Sequence, residues 1–277
     1  MTVAELFEKG KKILSDNGTD NYANEARWIF EAVFGVNSQY LFFNANDEAD
    51  AEKSKEFTEK IIRRANGEPV QYIIGSWDFY GETFKVGEGV LIPRPETELL
   101  IDFALEHLKK IKNPIVFDLC SGSGCIGLTV AKLIPESKVY LLEKSEKAFD
   151  YLSVNKNNLG CHNAVLIKGD IFEGFDAFGL PEPDLILSNP PYIESEEIGQ
   201  LQSEVLREPV MALDGGADGL DFYRCIADKW LPHCKYAAAV ECGENQHKEI
   251  AILFSALNVG FKKDFNEIYR VVCGTVK

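Results

Sequence analysis

Apolar residues return every three or four positions through the first 66 residues. Val3, Leu6, Phe7, Ile13 and Leu14 fall near one face, Ala26, Ile29, Phe30, Val33 and Phe34 repeat the pattern, and Phe57, Ile61 and Ile62 begin a third stripe. This spacing predicts amphipathic helices packed on one another. Gly18, Gly35 and residues 44–47 separate them. The period then changes. Gly67-Glu68-Pro69 ends the last helix, and Val70–Ile74, Trp77–Tyr80 and Thr83–Val86 alternate as strands do, with Gly75, Gly81 and Gly87 as turns. Residues 67–92 therefore read as a β-hairpin linker after a helical domain at 1–66. Proline followed by Glu96-Thr97-Glu98, just before Leu99-Leu100-Ile101, predicts a helix start with acids near its positive end.

From Ile115 the pattern is strand, helix, strand, helix. Ile115–Leu119, Lys138–Leu142, Val165–Lys168, Leu185–Ser188 and Ala237–Val240 read as buried strands. Helices are expected over Cys125–Leu133, Ser145–Leu159, Leu220–Trp230 and Gln246–Leu257, and Phe261–Phe265 with Tyr269–Thr275 as a final antiparallel pair. Alternation of this kind predicts an α/β domain at 93–277, with a mostly parallel sheet covered on both faces.

Composition narrows the function. Lys and Arg number 29 against 44 Asp and Glu, a net charge of −15, and both domains are acidic. Direct nucleic-acid binding needs a positive surface, so none is expected. The seven cysteines are scattered without a C-x-x-C pair, which fits reduced thiols in a cytoplasm; the four histidines show no metal-ligand spacing, and no metal is expected. Met1 leads straight into an amphipathic pattern, and no apolar run is long enough to span a bilayer.

The residues with chemical potential fall at strand ends. In doubly wound sheets that is where ligands sit. Asp118, Cys120, Ser121, Gly122, Ser123 and Gly124 form a glycine-rich turn after the first strand, placing a ligand against backbone at a helix start. Glu143 closes the second strand, about 20 residues past the glycines, the distance of an acid that accepts from ribose hydroxyls. Asp170 follows the third strand and is placed to accept from an adenine amino group, with Ile171 or Phe172 packing on the ring. Asn189-Pro190-Pro191-Tyr192 follows the fourth. Two prolines cannot continue a ladder, so this stretch is a stiff segment carrying one amide and one aromatic ring. Together these outline an adenosine pocket. Gly122-Ser123-Gly124-Cys125-Ile126-Gly127 satisfies G-x-G-x-x-G, so an NAD-dependent dehydrogenase is a rival to an S-adenosylmethionine enzyme. Against it, Asp118 would repel a pyrophosphate but attract an ammonium group, and hydride transfer gives the Asn-Pro-Pro-Tyr stretch no role.

The sequence resembles the peptide chain release factor N5-glutamine methyltransferases over nearly its whole length. The resemblance rests on Pro69-Val70-Gln71-Tyr72-Ile73 with Gly75, on residues 91–98 (Leu91 to Glu98), on Gly122–Ile126, on Asn189–Ile193, on Glu208-Pro209 with Ala212-Leu213, and on Gly216, Asp218-Gly219-Leu220 and Tyr223. Asn-Pro-Pro-Tyr alone is shared with amino-group methyltransferases acting on nucleic-acid bases, which is the second reading. The resemblance implies a helical N-terminal domain, a hairpin linker and a Rossmann-like, seven-stranded methyltransferase domain. It implies S-adenosylmethionine as cofactor, leaving as S-adenosylhomocysteine, and class 1 release factors as partners, methylated on the glutamine amide of their Gly-Gly-Gln motif in support of translation termination. A cytoplasmic monomer is expected. By resemblance, Asn189, Pro190, Pro191 and Tyr192 bind the substrate: Asn189 and the Pro190 carbonyl accept the two amide N–H groups and Tyr192 packs on the amide; Asn189 also borders the cofactor. The sequence departs from the family at Cys120, where glycine is usual, at Glu143, where aspartate is commoner, and at Glu267, where a glycine tends to stand between Asp264 and Arg270.

Overall fold

A computed structural model describes residues 1–277. The chain divides into two compact units, residues 1–76 with 202–207 and residues 77–201 with 208–277.

The first unit is helical: α1 (Val3–Asp16), α2 (Tyr22–Phe34), α3 (Ser38–Phe43), α4 (Ala51–Ala65) and α5 (Val70–Ile74). Thr2 opens α1 with a reciprocal cap: its hydroxyl accepts from Glu5 N and its own N–H donates to the Glu5 carboxylate. The apolar stripes meet in one core of Leu6, Leu14, Ile29, Phe30, Phe57 and Ile61. Arg64 is buried on α4 and bonds both Glu25 and Glu204, so an ion pair ties the distant segment 202–207 into this unit. The stretch Val70–Ile74, expected as a strand, is instead the short helix α5. Gly75 ends it at φ 81°, and its buried side chains, Val70 and Ile73, stand three apart. Five apolar-rich residues are too few for periodicity to separate helix from strand.

The second unit begins with a hairpin of β1 (Ser76–Phe79) and β2 (Glu82–Lys85), whose Phe79 and Phe84 are buried edge to face at 6.1 Å. There follow α6 (Glu98–Leu108), β3 (Ile115–Leu119), α7 (Cys125–Leu133), β4 (Lys138–Glu143), α8 (Glu146–Leu159), β5 (Ala164–Lys168), β6 (Leu185–Ser188), α9 (Asp221–Lys229), β7 (Ala237–Glu241), α10 (His247–Leu253), β8 (Leu257–Lys263) and β9 (Tyr269–Val276). Seven strands form one sheet in the order β5-β4-β3-β6-β7-β9-β8. It is parallel through β7, and β9 is antiparallel to both β7 and β8. Alternate strand residues feed opposite faces. Val116, Leu141 and Leu187 pack with Leu100, Phe103 and Ile126 on one side. Phe117, Leu142 and Ile186 pack with Tyr223, Trp230 and Phe254 on the other.

The last helix is shorter than its apolar spacing suggests. It stops at Leu253, and Leu257 already starts β8. Phe254 and Leu257 are both buried, which prolongs the helical pattern past the true end. The closing hairpin turns without glycine: Glu267 takes φ 63°, and the Asp264 carboxylate accepts from Asn266 N, Ile268 N and Arg270 Nε at 2.8–3.0 Å.

Candidate active site

The chain leaves β3 toward β4 on one side and returns to β6 on the other, so the sheet's switch point lies between β3 and β6. Leu119 and Ser188 are register partners, and Ser188 Oγ donates to Leu119 O at 2.6 Å. Cys120 and Asn189 thus leave the sheet side by side.

The turn after β3 is tightly wound. Cys120 holds φ 61°, a left-handed conformation that costs a side-chain-bearing residue energy. Ser121 N donates to Leu142 O at 3.0 Å, and Ser121 Oγ to Asp118 O at 2.8 Å. Gly124 caps α7 at φ 83°, with its N–H on Ser121 O at 2.7 Å. Ser123 O accepts from the buried Asn155 amide at 2.9 Å. A side chain at Gly122 would meet nothing within 4 Å, so the turn is open there. Gly127, the third glycine of the pattern, has a packing role instead: a Cβ would lie 2.6 Å from Leu141 and 2.8 Å from Asp118 Oδ2.

Asp118 is wholly buried beneath this turn. Gly127 N donates to its Oδ2 at 2.9 Å, while its Oδ1 has no partner. Burial pushes its carboxyl up to about 7, against the N–H of Gly127 and with added repulsion from Glu143. Glu143 ends β4 and grips the turn: Gly122 N donates to Oε2 at 2.7 Å and Ser145 N to Oε1 at 2.6 Å. Burial raises its pKa too. Asp170 follows β5, accepts from Phe172 N at 3.0 Å and pairs with Lys144 at 2.8 Å. Burial opposes its ionisation, but Lys144 and the Phe172 N–H prevail and hold its carboxyl below the usual range. Ile171 is a core residue, and Phe172 is the exposed ring at that rim. The strand-end groups of β5, β4, β3 and β6 therefore stand in one row.

Beyond β6, Pro190 and Pro191 are buried. Ile193 forms a parallel bridge with Asp214, donating to Leu213 O at 2.9 Å and accepting from Gly215 N at 2.8 Å. Gln246 Nε2 donates to Tyr192 O at 2.9 Å. A Cβ on Gly219 would lie 2.4 Å from that same oxygen. The matched Gly219 thus lets a second loop press on the Tyr192 backbone. Burial pushes the Tyr192 phenol up, and the Glu241 charge adds to the shift, so the ring stays neutral. Glu208 is buried, accepts from Ile92 N at 2.9 Å and pairs with Arg94, which locks the Leu91–Glu98 stretch to the same unit.

The local sequence gave no sign of one contact. Asn189 Nδ2 donates to Thr97 Oγ1 at 3.2 Å, and Thr97 Oγ1 donates to Glu241 Oε2 at 2.5 Å. Thr97 and Glu241 are buried. Neither residue carries a local signature of a site. Thr97 lies within the resemblance motif at 91–98, but that motif does not point to this contact.

A seven-stranded sheet with a glycine-rich turn and an Asn-Pro-Pro-Tyr segment at its switch point defines an α/β methyltransferase. Residues 5–75 match the PrmC N-terminal domain, and residues 97–218 match the methyltransferase small domain. A release factor glutamine methyltransferase from Thermodesulfovibrio yellowstonii is 41% identical over 90% of this chain and 90% of its own length. One from Geobacter sulfurreducens is 35% identical over 99% and 97%. Among solved structures, a methyltransferase from Pyrococcus furiosus, 14% identical, shares the fold with a TM-score of 0.52 over 79% of this chain and 98% of that one. The chain belongs to the release factor glutamine methyltransferase family. No helix is long and apolar enough to cross a membrane.

Proposed function

We propose that this enzyme transfers a methyl group from S-adenosylmethionine to the side-chain amide nitrogen of the glutamine in the Gly-Gly-Gln motif of class 1 peptide chain release factors, acting in the cytoplasm. The observation that carries this reading is the Asn189–Tyr192 segment, rigid on both flanks and set beside the glycine-rich turn. The turn suits the cofactor. It is open at Gly122, it is flanked by Glu143 and Asp170, and the unpartnered Asp118 oxygen beneath it, when ionised, favours a cationic ligand over a pyrophosphate. In this reading Cys120, Ser121, Gly122, Ser123 and Gly124 supply the backbone against which the cofactor lies. Glu143 accepts from ribose hydroxyls, and Asp170 with the Ile171–Phe172 pair borders the adenine.

When bound, S-adenosylmethionine supplies an electrophilic methyl carbon on sulfur. An amide nitrogen is a poor nucleophile because its lone pair is delocalised into the carbonyl. Asn189 Oδ1 and the Pro190 carbonyl accept its two N–H groups, and proline brings a carbonyl without a competing N–H. Acceptors fixed before the reaction stabilise the charge that grows on nitrogen. Holding the nitrogen in line with the methyl carbon contributes roughly 7–11 kcal/mol in favourable cases. Tyr192, neutral and held at its carbonyl by Gln246, packs on the flat amide. With S-adenosylmethionine bound, its methyl would pass from sulfur to the amide nitrogen, S-adenosylhomocysteine would leave, and the nitrogen's proton would go to water.

The test is transfer of labelled methyl to a purified release factor and to the same factor with its Gly-Gly-Gln glutamine changed to alanine. Label on the first alone supports the reading. Label on both places the target elsewhere and overturns it, as does label on neither when cofactor binding is intact.

A further inference from the structure

Asn189 can serve as an acceptor only if its amide oxygen faces the substrate. A primary amide is nearly symmetric in shape, so packing alone does not choose between its two orientations. A hydrogen-bond partner behind it does. That partner is Thr97 Oγ1, and its single proton is committed elsewhere, to Glu241 Oε2 at 2.5 Å. When Glu241 is ionised its carboxylate only accepts, so the threonine donates to it and presents lone pairs to Asn189. Lone pairs call for the NH2 end of the amide, which donates at 3.2 Å. The oxygen end is then turned outward.

Two further observations set this contact apart from incidental packing. Thr97 sits where a 3₁₀ turn (Pro95–Thr97) passes into α6, a place where threonine commonly caps the helix, yet its hydroxyl caps nothing there. And Glu241 is buried at the end of β7, where a carboxylate costs stability and an apolar residue would serve a purely structural end better. The three residues come from positions 97, 189 and 241. They meet because β6 and β7 pair with Ser188 opposite Val240, which puts Asn189 beside Glu241.

We propose that Thr97 and Glu241 are positioning residues that fix the amide of Asn189 with its oxygen toward the substrate nitrogen. The proposal rests on the methyl-transfer reading above. Its experiment compares Thr97→Val, which keeps the shape and removes the hydroxyl, with Thr97→Ser, which keeps the hydroxyl, with Glu241→Gln, and with Thr97→Val combined with Glu241→Gln. The readouts are kcat, KM for the release factor, cofactor affinity by calorimetry, thermal midpoint, and the nitrogen-15 signal of the Asn189 side-chain amide.

Thr97→Val is expected to lower kcat about 10- to 100-fold, since a misaimed group near the chemistry costs that much, with cofactor affinity unchanged. Thr97→Ser restores most of the turnover. The double variant loses no more than Thr97→Val alone, because both act through one amide. The Asn189 amide protons, protected from exchange in the native protein, lose protection in Thr97→Val and keep it in Thr97→Ser. Native kcat in a folded Thr97→Val protein overturns the proposal, and so does an additive double variant or unprotected amide protons in the native protein. If Thr97→Val fails to fold, Glu241→Gln against the native protein decides by the same readouts. If the native enzyme labels no release factor, the methyl-transfer reading fails while the amide signal still tests the orientation.

Discussion

Replacing Asp118 by asparagine should make this protein less sensitive to alkali, and the structure sets the size of the effect. The carboxyl is completely buried, with one oxygen on Gly127 N and the other unpartnered. Its pKa rises from 3.8 in the open chain to about 7 in the fold, with burial as the main cause. Between those two values the native state holds a proton that the unfolded state has released. Stability contributed by the protonated form is therefore complete below about pH 4 and is lost as pH rises toward 7. At 1.36 kcal/mol per unit, this group alone costs the native protein about 3 kcal/mol between pH 5 and pH 8. Asparagine carries no charge to desolvate. Its carbonyl can still accept from Gly127, while its NH2 takes the place of the unpartnered oxygen and carries a pH-independent cost of about 1–3 kcal/mol.

The assay is urea unfolding of native and Asp118→Asn protein at pH 5 and pH 8. Glu241, raised to about 7 by burial, and Glu143, also raised by burial, shift stability in the same direction, but they are present in both proteins. The native-minus-variant difference reports Asp118 together with its repulsion by Glu143, which the variant also removes. It should move by about 3 kcal/mol in the variant's favour on going from pH 5 to pH 8. An unchanged difference, or one that moves in favour of the native protein, refutes the reasoning.

Glu143→Gln should weaken S-adenosylmethionine binding at least about tenfold, because a single amide oxygen cannot satisfy both Gly122 N and Ser145 N and still accept from ribose; unchanged affinity by calorimetry contradicts the ribose role. Cys120→Val should cost about 2 kcal/mol in urea unfolding, since a β-branched residue resists the left-handed φ of 61° that cysteine holds there; equal stability contradicts the turn geometry. Arg64→Met should destabilise the first unit by about 3–5 kcal/mol by stranding the buried Glu25 carboxylate, read as a lower thermal midpoint; a midpoint at or above native shows that the ion pair contributes nothing.

The α/β architecture was legible because buried parallel strands are short continuous apolar runs set off by glycines and acids, and helices are longer and periodic. Leu185–Ser188 and Cys125–Leu133 stand as read. Val70–Ile74 was not legible, since in five residues the two periods predict nearly the same buried set. At Glu267 the left-handed turn forms without glycine because the Asp264 carboxylate takes the backbone N–H groups of Asn266 and Ile268. That compensation is tertiary in kind and leaves no trace in composition.

The candidate site divides in the same way. Groups that act where the chain itself turns, such as Gly122, Glu143 and Asn189, show in the sequence because strand ends mark them. Groups that act on another residue from a distance do not. Thr97 reads locally as part of a helix start, and Glu241 reads as the polar end of a strand. Their contact spans 144 positions and exists only through the order of strands in the sheet. A hydroxyl that forgoes its local cap, and a carboxylate buried where an apolar residue would be more stable, are each explained once Asn189 is placed between substrate and threonine. The proposed orientation of that one amide accounts for both.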